Sequence, residues 1–114
     1  SDENGNQVIE LDVVVNGETQ RLRGEGNGPI SAILNALQLP IDVLNYEERG
    51  ISSGANAKAL ALVELQVKGT GKSAFGAGVH DNIVTSSIEA IIASTNRLID
   101  QGVLSKEQLV AAAV

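Results

Sequence analysis

The sequence predicts an α+β fold in which an antiparallel sheet is covered on one face by two helices. Two features support this prediction. Stretches of alternating apolar and polar residues are separated by hairpin signals, and each set of strands leads through a Gly-x-Gly sequence into an apolar stretch of helical period. This arrangement occurs twice, at about 8–39 and 40–101, so we expect two strand-and-helix pseudo-repeats related by an approximate twofold axis.

The glycine pairs mark the repeat. Gly24 and Gly26 recur 52 residues later as Gly76 and Gly78, whereas the apolar positions of the two helices recur at a spacing of 54. We expect each pair to form a tight turn between strand and helix, since glycine tolerates positive φ and the close approach of another backbone. An isolated pair of this kind is usually structural. Its duplication gives more weight to a ligand site between the repeats, because the first turn of a helix presents unpaired N–H groups and a positive dipole.

The first repeat is predicted to be a hairpin followed by a helix. Residues 1–7 are expected to be a disordered lead-in or linker. Residues 8–15 alternate in polarity as a half-buried strand does, Asn16-Gly17 is the strongest short hairpin signal, and 18–22 forms the returning strand. Pro29 suits the first turn of a helix, and apolar residues at i, i+3, i+4 and i+7 predict that this helix spans about 29–38.

The second repeat is predicted to contain the longer elements. Pro40 ends the first helix, and an extended segment over 41–52 is followed by turn residues at 53–56. Residues 58–68 predict the most buried strand, and 72–75 a short strand before the second glycine pair. A helical period then runs from about 82 to 100, with Asp81 or Asn82 as the N-cap and Gly102 at the end. A short helix is expected at about 105–113, so that 8–114 forms a single domain.

Composition excludes several classes of function. The net charge of −6, with eight scattered Lys and Arg residues, argues against a nucleic-acid partner. No apolar run is long enough to span a bilayer, so we expect no membrane partner. The polar, acidic N-terminus is unlike a secretory signal, and the absence of cysteine fits a reducing compartment. We therefore expect a cytoplasmic protein.

The motifs that suggest nucleotide binding or catalysis are incomplete. A P-loop ending at Lys72-Ser73 requires glycine where the chain has Gln66, and neither glycine pair is completed to Gly-x-Gly-x-x-Gly. His80 and Asp81 are neighbours, but one histidine supplies too little for a catalytic dyad or a metal site, so turn and capping roles are expected for both. We predict no catalytic residue, no metal site and no cofactor in this chain, which alone is not an enzyme.

The apolar content indicates which ligand the fold would take. It amounts to 43% of residues and is nearly all Ala, Val, Leu and Ile, with one Phe, one Tyr and no Trp. A pocket in such a core suits a branched aliphatic group better than a flat ring. We therefore expect a small zwitterion with a branched side chain. Its carboxylate would lie on the N–H groups of the second helix near 78–82, and its ammonium on a nearby carboxylate or carbonyl.

Three motifs follow one another along the chain. They are Gly-x-Gly-Asn-Gly-Pro-Ile-x-Ala at 24–32, Leu-Asn-Tyr at 44–46 leading to Ser-Gly-Ala-Asn-Ala-Lys-Ala at 53–59, and Gly-x-Gly at 76–78 with Asp-Asn-Ile-Val-Thr-Ser-Ser at 81–87. Together they resemble the C-terminal regulatory domain of 2-isopropylmalate synthases, over about 8–98. The resemblance implies a domain that binds L-leucine for feedback inhibition and forms a homodimer. It also implies an N-terminal catalytic TIM barrel in the parent chain, an acyltransferase that condenses acetyl-CoA with 2-oxoisovalerate using a divalent metal ion.

The resemblance further implies which residues form the effector site. They come from the first glycine turn, the middle extended segment and the second glycine turn: Gly26, Gly28, Pro29, Ile30, Tyr46, Ile51, Ala55, Ala57, Gly78, His80, Asp81 and Ile83. Two alternatives stay open. One is an isoleucine-sensing domain like that of citramalate synthase, and the other is a structural dimerisation domain without an effector.

Overall fold

The computed structural model describes residues 6–53 and 55–105, apart from the side chains of Ser52 and Ser53. Its elements in chain order are the strands β1 (Gln7–Val15) and β2 (Glu18–Gly26), the helix α1 (Pro29–Leu37), the strands β3 (Ile41–Ser53), β4 (Asn56–Val67) and β5 (Ser73–His80), and the helix α2 (Ile83–Asp100). The predicted α+β class and the two strand-and-helix repeats are confirmed. The described residues form two compact units, the first extending to Leu39 and the second covering Pro40–Leu104.

The first unit is a hairpin packed against one helix. β1 and β2 are antiparallel, and Asn16 and Gly17 form their turn with φ of 52° and 81°. Positive φ at both positions is what the Asn-Gly sequence favours in a two-residue hairpin turn. β1 begins at Gln7, which pairs with Gly26, so this residue of the predicted lead-in belongs to the strand. Residues 1–5 of that lead-in lie outside the described residues, as do 106–113 of the expected last helix.

An aliphatic core holds α1 on the hairpin. Its buried residues are Ile9, Leu11, Val15 and Leu22 from the strands and Ala32, Ile33, Ala36 and Leu37 from the helix. α1 ends where Gln38 adopts the left-handed conformation, at φ 53°, and donates its N–H to the carbonyl of Leu34 at 3.0 Å. Pro40 follows, and a proline here prevents the helix from continuing.

The second unit is a three-stranded antiparallel sheet with α2 on one face. β4 is the central strand between β3 and β5, and α2 contacts β4 and β5. The α2 face of β4 is buried, at Ala61, Val63, Leu65 and Val67, as predicted for this strand. The strands thus form sheets of two and three strands, and this number differs from the single sheet expected. Alternation of polarity identifies strands and hairpins, but it does not specify which hairpins share hydrogen bonds.

The glycine pairs lie in strands, which corrects the prediction that they form turns. Gly24 and Gly26 end β2, whereas Gly76 and Gly78 lie inside β5, which continues to His80 instead of ending at 75. None of these four glycines has a positive φ. Their role is therefore not conformational freedom.

Close packing of helix on strand explains these glycines. A Cβ added to Gly24 would overlap the carbonyl oxygen of Ala32, and one added to Gly78 would overlap that of Ser86. The backbone of each helix therefore lies directly on its strand, at a separation that leaves no room for a side chain.

The structural repeat has one spacing, 54, in strand and helix alike. Gly24 lies under the fourth residue of α1 and Gly78 under the fourth residue of α2, and the two helices begin 54 residues apart. The counterpart of Gly24 is therefore Gly78, and the match at a spacing of 52 was wrong. Gly76 is required because α2, with 18 residues, also passes over this position. α1 has nine residues and stops earlier, so that Leu22 fits at the equivalent place in β2.

Candidate effector site

The structure divides the twelve predicted effector residues between the two units. Gly26, Gly28, Pro29 and Ile30 lie at the junction of β2 and α1. In the second unit, Tyr46 and Ile51 lie in β3, Ala55 between β3 and β4, Ala57 in β4, Gly78 and His80 in β5, Asp81 just after β5, and Ile83 at the start of α2. Each unit thus contributes residues around the N-terminus of its own helix.

The N-terminus of α2 is closed by its own N-cap residue. The side chain of Asn82 accepts hydrogen bonds from the N–H groups of Val84, at 2.9 Å, and Thr85, at 3.2 Å. A ligand carboxylate is predicted on the N–H groups of this helix start near 78–82, and the Asn82 side chain occupies two donors of the first turn, those of Val84 and Thr85. Of the two candidate N-caps, the structure selects Asn82 rather than Asp81.

The N-terminus of α1 has a different chemistry, because its N-cap, Gly28, has no side chain that could accept a hydrogen bond. Gly28 is extended at φ −170°, and a Cβ added there would meet nothing within 4 Å. Pro29 has no N–H, and the first intrahelical bond runs from the Ala32 N–H to the Gly28 carbonyl at 3.0 Å. Equivalent positions of the two repeats therefore carry a capped and an uncapped helix start.

A β-bulge decides which side chains of β3 face α2. The pairing of β3 with β4 shifts between Val43 and Asn45, so Leu44 is the extra residue. Beyond the bulge, Tyr46 lies opposite Val63, whose side chain is buried on the α2 face. Residues directly opposite each other share a face of the sheet, so Tyr46 faces α2, where an unbulged strand would place Asn45.

A cleft of about 340 Å³ lies next to the first residue of α2. Its lining residues are Glu48, Arg49, Gly50, Ala59 and Ile83. Gly50, Ala59 and His80 lie side by side across the three strands at this level. The cleft therefore combines the Glu48 carboxylate with an aliphatic wall within one unit. Arg49 borders it through its place in β3, but it lies level with Leu60, so its guanidinium group is on the opposite face of the sheet.

The cleft overlaps the predicted effector set in part. Ile83 lines it, and His80 lies beside its residue Ala59. Ile51 lies on the opposite face of the sheet and is 43% exposed, and the space that a side chain at Gly78 would fill is taken by α2. The other lining residues of the cleft, Glu48, Arg49, Gly50 and Ala59, are not in the predicted set. The sequence could have indicated these residues through the pairing of β3 with β4, but only if the β-bulge at Leu44 had been included in the register.

Tyr46 connects β3 to α2 beside the cleft. Its hydroxyl donates to the Glu48 carboxylate and lies 3.2 Å from Oγ of Ser87, a fully buried residue of α2. Partial burial and the Glu48 carboxylate raise the pKa of Tyr46 to about 12, against the opposing effect of the Ser87 hydroxyl. The phenol therefore stays protonated near neutral pH and holds the Glu48 carboxylate in place.

His80 and Asp81 form a local cluster before α2. Nδ1 of His80 lies 2.8 Å from Oδ1 of Asp81 and 3.0 Å from the backbone N of Asn82. The neutral ring can accept from Asn82, and the protonated ring can donate to Asp81, but one nitrogen does not do both at once. His80 is the last residue of β5, and Asp81 lies between it and the N-cap Asn82, so the predicted capping role belongs to neither.

The described residues hold no cluster suited to a metal ion. Nowhere in 6–53 and 55–105 do three His, Asp or Glu side chains come together as ligands. Among the described helices, none has the length and apolarity needed to cross a membrane.

Comparison with known proteins decides the family. Residues 1–99 match the family described as the LeuA allosteric (dimerisation) domain. The chain belongs to this family. All three sequence motifs lie inside the matched range, so the resemblance to the regulatory domain of 2-isopropylmalate synthases is confirmed.

Relatives of this LeuA-type domain are larger proteins. The chain is 41% identical over 97 residues to the 2-isopropylmalate synthase of Paraburkholderia xenovorans (strain LB400) and 39% identical over 100 residues to that of Pseudomonas savastanoi pv. phaseolicola (strain 1448A / Race 6). The alignments cover 85% and 88% of this chain but 17% and 18% of the relatives. The chain therefore spans less than a fifth of the length of the curated relatives it matches.

Proposed function

We propose that this chain is the regulatory and dimerisation domain of a 2-isopropylmalate synthase and that it binds L-leucine as a feedback inhibitor. The observation that carries the ligand assignment is the cleft beside α2, where the Glu48 carboxylate adjoins an aliphatic wall. Family membership supports the regulatory and dimerising role.

The ammonium group and the side chain of leucine have partners in this cleft. Glu48 would accept the ammonium group, and the branched side chain would pack on Ile83 and Ala59. Arg49 borders the cleft in β3, but it lies level with Leu60, so its side chain is on the other face of the sheet, where it forms an ion pair with Glu47 at 2.5 Å.

The relatives support a proposal for the parent protein. We propose that it is a cytoplasmic acyltransferase that forms 2-isopropylmalate from acetyl-CoA and 2-oxoisovalerate, with its divalent metal ion in an N-terminal TIM barrel. In this arrangement leucine acts at a distance. It inhibits because it binds the less active state of the parent more tightly than the active one.

Thermal denaturation and calorimetry with leucine, isoleucine and valine test the ligand assignment. A ligand present at 100 times its dissociation constant stabilises the folded state by about 2.7 kcal/mol. Leucine should raise the melting temperature most. A larger shift with isoleucine would favour the citramalate synthase type of domain, and no shift with any of the three would favour a structural domain without an effector.

Glu48→Gln tests the cleft itself. The change removes the charge that would hold the ammonium group and should weaken leucine binding at least about tenfold, in line with a charged hydrogen bond of about 1.5–3 kcal/mol. Glu18→Gln is the matched control, because Glu18 is an exposed carboxylate at the start of β2 in the other unit. Equal leucine affinity in the two variants would contradict the assignment of the cleft.

A further inference from the structure

The face of the β3–β4–β5 sheet that α2 leaves uncovered exposes several large apolar side chains. Phe75, the one phenylalanine of the chain, is 61% exposed there, and Val79 and Ile51 are 47% and 43% exposed. Leu60 and Leu62 of the central strand lie between them on the same face, opposite Val79 and Ala77. A groove of about 290 Å³ runs over Leu62 and is bordered by Asn45, Glu47 and Phe75.

The charged residues on this face are arranged so that two copies of the face can pair opposite charges. Along β4 the residues on this face are Lys58, Leu60, Leu62 and Glu64, a basic residue, two leucines and an acidic residue. Glu64 is fixed by hydrogen bonds from the Asn45 amide, at 2.6 Å, and from the Ser73 hydroxyl, at 2.8 Å. Two copies can be packed face to face by a twofold axis that runs perpendicular to the strands and passes between Leu60 and Leu62. This rotation places Lys58 of one copy opposite Glu64 of the other.

The same rotation also matches complementary residues on the neighbouring strands. On β3, Arg49 lies level with Leu60 and Glu47 lies level with Leu62, so Arg49 of each copy would face Glu47 of the other. On β5, Val79 would face Ala77, a large residue against a small one. Leu60 of the second copy would lie over Leu62 and enter the groove. A closed dimer requires a surface of this kind, on which the same patch matches itself.

We propose that this face is the self-association surface of the chain, packed on the same face of a second copy with the strands of the two sheets antiparallel. The proposal rests on the dimerisation part of the proposed function and names its surface. It is independent of the leucine site, because the cleft lies on the α2 face of the same sheet. Face-to-face packing of two sheets buries the leucines, Phe75 and Val79 in one layer, and the paired charges set its register.

Sedimentation equilibrium of the 114-residue chain tests the surface. Leu62→Arg places an unpaired charge at its centre and should raise the dimer dissociation constant at least about 30-fold, as expected for a central interface residue. Val14→Arg is the matched control, since Val14 is an apolar residue 71% exposed on the hairpin of the first unit. It should leave the dissociation constant unchanged, and circular dichroism should verify that both variants fold.

Charge reversal tests the orientation. Lys58 and Glu64 are six residues apart on one strand, roughly 20 Å, so they do not interact within a chain. Lys58→Glu and Glu64→Lys should each weaken self-association about tenfold, since each opposes like charges at two places in a symmetric dimer. An equimolar mixture of the two variants should associate about as tightly as the wild type, because only the mixed dimer pairs every charge.

The outcomes separate this inference from the proposed function. A wild-type dimer that Leu62→Arg leaves intact overturns the surface and spares dimerisation. Dissociation by Leu62→Arg without recovery in the mixture overturns the antiparallel arrangement. A wild-type chain that stays monomeric at every concentration overturns the surface and the dimerising role together, while the leucine titration still decides the effector.

Discussion

At the scale of single residues, Tyr46 is the side chain that connects the cleft to α2. Tyr46→Phe removes the donor to Glu48 and the partner of the buried Ser87 hydroxyl, so we expect the free energy of unfolding at pH 7 to fall by about 1 kcal/mol. The folded-state pKa, about 12, lies above the ordinary value of 10.0. The neutral phenol therefore stabilises the wild type below pH 10, and this contribution is lost as the pH rises from about 10 to about 12.

Urea unfolding of both proteins at several pH values measures this effect. The difference in stability between wild type and Tyr46→Phe should be constant up to about pH 9 and then narrow above pH 10. A difference that stays constant to pH 11.5 would show that burial and Glu48 do not raise the pKa of this phenol.

Thr95 is a residue whose replacement should stabilise the fold. It lies on α2, is 4% exposed, and its hydroxyl has no hydrogen-bond partner among the described residues. Thr95→Val keeps the shape and removes the unpaired polar group, so we expect a gain of about 1 kcal/mol and a melting temperature about 4–8 °C higher. Calorimetry measures the change.

Ser94→Ala is the opposite case on the same helix. Its hydroxyl donates to the carbonyl of Ala74 in β5 at 2.7 Å, so its removal should lower the melting temperature. If Thr95→Val also lowered it, the Thr95 hydroxyl would have a partner in solution.

At the scale of elements, the packing of helix on strand depends on glycine. Gly78→Ala would drive a Cβ into the backbone of α2 at Ser86, and the helix would have to shift, so we expect a loss of about 3 kcal/mol in the free energy of unfolding. Gly50→Ala is the matched control, because Gly50 lies in the same sheet and a Cβ there meets nothing within 4 Å.

Chemical denaturation compares the two glycine variants. Gly50→Ala should change stability by less than about 1 kcal/mol. Equal stability of the two would contradict the close approach of α2 to β5. One consequence concerns ligand binding: a loss of leucine response in any Gly78 variant reports a displaced helix and does not identify a ligand contact.

Local signals predicted the elements well. Asn16-Gly17, Pro29, Asn82 and Gly102 act on the residues beside them, and the turn or helix end that each implied is where the structure has it. These features depend on short-range sterics and hydrogen bonds, which the sequence displays directly.

The failures all concern contacts between elements. The sequence does not distinguish a glycine that forms a turn from a glycine that packs under a helix. Only the position of α1 or α2 distinguishes the two roles. The bulge at Leu44 was not recognised either, although this one extra residue sends Tyr46 and Glu48 to the α2 face. Without it, the register that begins with Ile41 opposite Val67 would pair Glu48 with Leu60 and place its side chain on the face away from α2.

At the scale of the whole molecule, β4 connects the two proposed functions. Its residues alternate between the faces of the sheet, with Ala59 and Ala61 toward the cleft and α2, and Leu60 and Leu62 toward the proposed dimer surface. A shift of this strand that accompanies leucine binding would alter the dimer contact. This alternation gives a short physical connection between effector and assembly, without a change in either helix.

Such a connection has a thermodynamic consequence that can be measured. If leucine binds a dimeric subunit more tightly than a monomer by some factor, saturating leucine must tighten the wild-type dimer by the square of that factor, because each dimer binds two ligands. We expect Leu62→Arg, as the monomeric form, to keep saturable leucine binding by calorimetry, since its mutation lies on the face away from the cleft. The ratio of leucine affinities in wild type and Leu62→Arg, once squared, should equal the change in the wild-type dimer dissociation constant produced by leucine. Complete loss of leucine binding in the folded monomeric variant would mean that the site requires both subunits, and the cleft of a single second unit would then not be the effector site.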